Sequence, residues 1–258
     1  MKKILLILFS VIFILFKANS QKVQAYNLKS YDQTPIHFGM SLAVNTMDFT
    51  IHNSGLFFTP AIDSIYAIEN KRSVGININM VMNFNFARYF AFRFLPGLDF
   101  GERDLSYWVL DKNTLTLHTM KLESTYVDFP FLIEYKSQRI NNFRPYVVAG
   151  GSYKLDLAAQ KKIDPSELPK IRLNKKTYYY ELGFGTDFFC ESFKFAMELK
   201  YVAGINNVMV PDNSQYTAAI EKMTSKMVVL SFTFEGSALK YFLRLNNKLA
   251  TRSVRRAI

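Results

Sequence analysis

The side chains in this sequence that could do chemistry on their own are few and far apart. His37, His52 and His118 lie on different segments. They lack the i, i+4 or clustered spacing that brings imidazoles to one metal ion, and they read as ordinary polar or loop histidines. Cys190, the one cysteine, sits in the turn Cys190-Glu191-Ser192 with no base close in sequence, and reads as a bland surface thiol. A single cysteine also rules out an internal disulfide. Gly183-Phe184-Gly185 has the glycines of a phosphate loop, but more strand pattern follows it where a helix should start; small residues inside a sheet explain it better. The sequence therefore points to no catalytic, cofactor-binding or metal-binding residue, and the chain is expected not to be an enzyme.

A larger constellation consists of charges that recur at alternate positions. Arg93, Asp99, Arg103, Asp128, Glu134, Lys154, Asp156, Glu181, Asp187, Lys194, Glu198 and Lys200 each fall on the polar side of an apolar–polar alternation. Both signs are present in similar numbers. Charges removed from water must pair. This set offers either a crosslinked plug or a small polar channel.

The elements that carry these charges are strands. In "SVGININMVMNFNF" (Ser73 to Phe86), Val74, Ile76, Ile78, Met80, Met82, Phe84 and Phe86 alternate with Gly75, Asn77, Asn79, Val81, Asn83 and Asn85. The period of two means a strand. Its length exceeds the usual 5–6 residues and suits the roughly 9–11 of a membrane-spanning strand. The pattern recurs around Phe38–Val44, Phe90–Arg103, Tyr126–Tyr135, Val147–Leu157, Thr177–Phe188, Phe193–Tyr201 and Val228–Glu235. That makes eight strands. Connections at Phe86–Tyr89, Lys136–Asn142 and Cys190–Ser192 are short, and those on the other side are longer. The predicted fold is all-β: an eight-stranded antiparallel transmembrane β-barrel of the bacterial outer membrane, with short periplasmic turns and longer extracellular loops. Phe86, Tyr89, Phe90, Tyr135, Phe188 and Phe193 gather at the short-turn end, where an interfacial girdle belongs. Such a barrel is just wide enough for its side chains to fill, so no folded protein could pass through. Pro96 and Pro130 fall inside strands and each predicts a bulge or an interruption. The apolar phase of the first strand shifts to Met47, Phe49 and Ile51, which predicts either a bulge near Asn45 or a strand that has left the membrane.

Charge and hydropathy set the ends apart. Of the net +11, three charges come from Lys2, Lys3 and Lys17 and six from Lys240, Arg244, Lys248, Arg252, Arg255 and Arg256. That leaves +2 for residues 21–236, too little for a nucleic-acid-binding body. Residues 1–20 read as a secretory signal peptide: a basic start, an apolar run from Ile4 to Phe16, and Ala18-Asn19-Ser20 at the cleavage spacing, so that Gln21 begins the mature chain. The barrel is assigned to residues 21–236 and a basic tail to residues 237–258. In the tail Lys240, Arg244 and Lys248 recur at i, i+4, i+8, beside an apolar stripe of Leu239, Phe242, Leu245 and Leu249. This amphipathic helical pattern predicts a periplasmic docking element for a partner or an anionic membrane, with Arg252 adding charge; the alternative is a solvated end.

The stretch "YVDFPFLIEYKSQRINNFRPYVVAGGSYKLDL", Tyr126 to Leu157, resembles the PorT-like family of outer-membrane β-barrel proteins. Pro130, Tyr135, Pro145, Tyr146, Gly150 and Gly151 fit that family's frame, as do "LGFGTDF" (Leu182 to Phe188) and "LSFTFEG" (Leu230 to Gly236). The resemblance covers roughly residues 36–236. "ERDLSYW" and "KSQRINNFRPYVV" are similar to the family's type IX secretion component. The resemblance implies a role in exporting proteins across the outer membrane, with outer-membrane lipid and other secretion proteins as partners and no cofactor. Two other classes stay open: a structural or adhesive barrel acting through its loops, and a small barrel enzyme, which would need a His with Ser or Asp at the outer rim.

Overall fold

The computed structural model describes residues 26–55, 65–111, 114–159, 171–211 and 215–237. The signal-peptide reading of residues 1–20 and the tail residues Lys240, Arg244, Leu245, Lys248, Leu249 and Arg252 lie outside the described residues. The elements are β1 (Ile36–Asn53), β2 (Ile65–Asn85), β3 (Phe90–Phe94), β4 (Gly97–Asp111), β5 (Thr114–Lys136), β6 (Phe143–Asp156), β7 (Lys176–Phe189), β8 (Lys194–Gly204), the one-turn helix α1 (Gln215–Ala218) and β9 (Ile220–Ser237). All pairings are antiparallel, and β1 pairs with both β2 and β9, which closes the sheet into a ring. Closure leaves no strand edge within the wall, as a medium without water demands.

β3 and β4 are two halves of one stave. Phe94 pairs with Phe131 and Gly97 with Asp128, in one unbroken register across the gap. By that register Leu95 stands opposite Pro130 and Pro96 opposite Phe129, so the two prolines sit diagonally across neighbouring staves, and the ring has eight staves. Pro130 was expected to interrupt its own strand as well; β5 runs through it instead. Leu95 donates its N–H to the Pro130 carbonyl (3.2 Å), and the Asn79 amide donates to the Leu95 carbonyl (3.2 Å). An asparagine side chain thus serves a carbonyl that faces a residue with no N–H to give.

Over the membrane band the staves are apolar outside and polar inside. Phe38, Met40, Leu42 and Val44 of β1 and the even-numbered residues from Val74 to Phe84 of β2 present exposed apolar side chains, while His37, Ser41, Asn45, Asn77 and Asn83 are buried. Phe86, Phe90, Tyr135, Phe188 and Phe193 project at the short-turn end, with Phe90 and Tyr135 rings 5.1 Å apart.

Toward the long loops the polarity reverses. Met47 and Phe49 are buried, while Asp48 and Lys226 pair across the outer face at 3.4 Å, as do Glu102 and Lys121 at 3.5 Å. The shift at Met47 is therefore a strand leaving the membrane, and β1 shows no bulge near Asn45: its register to β9 slips only at His52/Asn53. The strands outgrow their expected ends for the same reason; β2 begins at Ile65, β5 at Thr114 and β9 at Ile220. Above the membrane the interior is an ordinary apolar core, with Leu105, Tyr107, Val109, Met120, Leu122 and Met223 packed against Ile171, Leu173, Val208 and Met209 from the loops.

Candidate functional site

All twelve charges read from the alternation lie inside the barrel, none more than 7% exposed. The alternation places them there because successive side chains point to opposite faces. Lys136, Arg144 and Glu235 join them, giving eight buried acids and seven buried bases. These three were missed although each continues the phase of its strand by one more step: Lys136 follows Glu134, Arg144 precedes Tyr146, and Glu235 follows Thr233. Turn-like surroundings hid the first two.

The charges form connected tiers. Near the long-loop side Lys154 Nζ contacts Asp99 at 2.5 Å and also pairs with Asp128, beneath the Tyr179 ring. Asn45 donates to Asn77 at 2.6 Å, and Asn77 donates to Asp99. In the middle Arg93 is a hub: Glu198 lies 2.7 Å away, Glu235 3.6 Å and Glu134 3.7 Å. Lys200 links Glu181 (2.9 Å) to Glu198 (3.9 Å), and the Tyr146 hydroxyl donates to Glu198 at 2.8 Å. Tyr146 crosses over Gly185, where a Cβ would sit 2.5 Å from its ring. Lys194 bridges Asp187 (3.1 Å) and Glu235 (2.9 Å). Asn83, on the asparagine face of β2, reaches both Glu134 and Glu235. Arg103 differs. It donates to Ser225 (2.7 Å), Ser124 and Tyr126 (2.8 Å), and its guanidinium lies 4.2 Å from the Phe49 ring centroid. Among the described residues no carboxylate lies within ion-pair distance of it. Asp156 accepts the Ala158 N–H at 2.9 Å, in a turn that ends β6.

A second feature was not read from the sequence. Residues 26–35 fold under the periplasmic mouth as a plug. Tyr31 is buried, stacks on His37 at 3.7 Å and donates to Glu235 at 2.9 Å. Burial, together with the nearby Glu235 and Asp187 carboxylates, holds its phenol well above the usual value, so it stays a donor. Asp32 pairs with Arg144 at 2.7 Å, and Arg144 with Asp187 at 3.0 Å. Arg139, in the turn between β5 and β6, reaches the Asn27 carbonyl at 2.5 Å and covers the Phe189 ring at 3.7 Å. His37, read as an ordinary polar residue, belongs to this assembly: its Nε2 lies 2.9 Å from the Thr34 carbonyl oxygen. His52 and His118 are exposed at the other end, and Cys190 is half-buried in its turn. The interior is thus occupied along its length: plug, charge tiers, then apolar core. A water-filled lumen would leave these charges accessible, and they are not.

The sequence profile of the outer membrane protein beta-barrel domain family matches residues 19–210. Among curated proteins, none matches the chain. Similar solved structures include the outer membrane protein OprG from Pseudomonas aeruginosa, at 12% identity and a TM-score of 0.46, covering 84% of this chain and 98% of that one. Neisserial surface protein A aligns at 8% identity and 0.41, over 78% and 96%. The outer membrane protease OmpT from Escherichia coli aligns at 9% and 0.36, over 84% and 100%.

Proposed function

Because the chain belongs to the outer membrane protein beta-barrel domain family, we propose that it serves protein export across the outer membrane as a PorT-like component of the type IX secretion system, and that it is not itself the conduit. The filled interior is the observation that carries the second half. Fifteen charges with at most 7% exposure, an apolar core above and a plug below leave no path for a polypeptide. The first half rests on the similarity of "KSQRINNFRPYVV" and "ERDLSYW" to that component. A physical reason for the first segment's character supports it: Arg139, Asn142 and Arg144 hold the N-terminal plug.

On this reading the protein acts by binding and performs no catalysis, and it needs neither cofactor nor nucleic acid. Its lipid-facing band meets the membrane, and the basic tail with Lys240, Arg244, Leu245, Lys248, Leu249 and Arg252 docks other secretion proteins from the periplasm. The test is the secretome of a deletion strain. Loss of exported cargo with membrane integrity intact supports the role. Unchanged export rejects it in favour of a structural or adhesive barrel.

A further inference from the structure

The β4–β5 hairpin rises well beyond the wall that carries it. On β5 the last lipid-facing apolar residue is Val127, and Leu117 lies ten residues further out. At about 3.3 Å per residue and a tilt near 40° that is roughly 25 Å above the band. The polar belt of Asp48–Lys226 and Glu102–Lys121 lies between. Past it the outer face turns apolar again. Leu115 and Leu117 are 44% and 50% exposed, and they pair with Leu110 and Trp108 across the hairpin.

This part of β5 also has an open edge. The Leu157 N–H donates to the Thr125 carbonyl (2.8 Å), so odd-numbered residues of β5 aim their backbone groups toward β6. The Lys136 N–H donates to Tyr89, so even-numbered residues aim toward β3 and β4. The pairing with β4 runs without a slip to Asp111↔Thr114, whereas the pairing with β6 stops at Tyr126↔Asp156. The N–H and C=O groups of Leu115, Leu117, Thr119 and Lys121 therefore face outward along an edge that no described residue fills. An exposed, partly apolar edge is a template for another strand.

We propose that this edge is a β-augmentation site, which takes an extended segment of an extracellular partner protein whose side chains beside Leu115 and Leu117 are apolar. Lipid cannot cover it, because it stands above the membrane band. Within the chain's own residues 160–170, Pro165 and Pro169 have no N–H to give to a ladder. A second copy in the same membrane would run its β5 toward the membrane as well, which opposes antiparallel pairing of the two edges. The proposal is independent of the secretion reading.

The test is amide hydrogen exchange on the full chain in micelles, with a ten-residue peptide of alternating valine and threonine as probe. In the free barrel the amides of Leu115, Leu117, Thr119 and Lys121 exchange fast, and those of Thr116, His118 and Met120 exchange slowly. The peptide slows the first set by about tenfold or more. Thr119→Pro abolishes that protection and leaves the second set slow, because the lost N–H served no bond in the barrel. On intact cells, Leu117→benzoylphenylalanine gives a crosslink to an extracellular protein that Thr119→Pro removes. The proposal fails if the first set is already protected in the free chain, whether by residues 160–170 or, with dependence on protein concentration, by a second copy. It fails equally if the peptide protects none of these amides, or if the crosslink is absent or survives Thr119→Pro.

Discussion

Lys154→Met is the most direct test of a dry interior. Lys154 is 2% exposed, and its ammonium is the cation that both Asp99 and Asp128 contact. Methionine keeps the apolar stem and removes the charge, leaving two carboxylates buried together. Breaking a buried pair by removing one partner costs about 3–5 kcal/mol, because the remaining charge is uncompensated. An exposed pair is worth only about 0–1 kcal/mol. The two cases are separable by urea titration of the folded barrel in micelles, read on the heat-modifiable gel band. With an m-value of about 2–3 kcal/mol per molar, the midpoint should fall by roughly 1–2.5 M. Adding Asp99→Asn and Asp128→Asn should recover most of that loss, since a fully neutral cluster carries no stranded charge. A midpoint shift within error for Lys154→Met alone would refute the reasoning, because it would mean that water screens the tier and the lumen is wet.

The purified chain in planar bilayers should show little or no conductance, and large stable channels would overturn the closed interior. A chain stopped after Ser237, where β9 ends, should fold to a normal barrel while cargo export falls; Lys240→Glu, Arg244→Glu and Lys248→Glu together should do the same, and unchanged export would reject docking by the tail. Tyr31→Ala should open the periplasmic mouth, read as thiol labelling of Ser41→Cys, a buried interior position outside the plug, in a Cys190→Ser background. Tyr31 is held protonated by a raised pKa, so its hold on Glu235 is fully present below about pH 10 and is lost as pH rises through the still higher folded value; labelling of the otherwise unaltered plug should increase only in that alkaline range. Gly185→Ala should destabilise the barrel by about 1–3 kcal/mol in the same urea assay, because the added carbon displaces Tyr146 from Glu198.

The ring and its inward charges were legible because lipid and lumen impose opposite demands on neighbouring residues, and period two records both. Legibility ended where the solvent outside changed. At Met47 and Phe49, and through Leu105, Tyr107, Met120 and Leu122, the alternation persists but its meaning inverts, so strand ends were placed where the lipid phase stopped. Pro130 misled because a proline inside a strand reads as a break; it is tolerated because the Leu95 carbonyl opposite it takes its hydrogen bond from the Asn79 amide instead, which only the register reveals. The plug left no local signature at all. Tyr31 and Asp32 sit in an irregular stretch whose partners Glu235 and Arg144 lie more than a hundred residues away.

The reversal of polarity along each stave also fixes how deep the protein sits. A barrel with a uniform coat could ride higher or lower as the bilayer thins or thickens. Here a sinking of two residues, about 5 Å at this tilt, would draw Asp48, Lys226, Glu102 and Lys121 toward hydrocarbon. A lysine costs about 0–1 kcal/mol as it enters the interface and about 2–4 kcal/mol only at the midplane, so the resistance grows with every further residue of sinking. A rise by the same amount would lift the aromatic girdle of Phe86, Phe90 and Tyr135 off the inner interface. The molecule is a float with a painted waterline, and whatever stands on its outer rim is presented at a constant height above the cell.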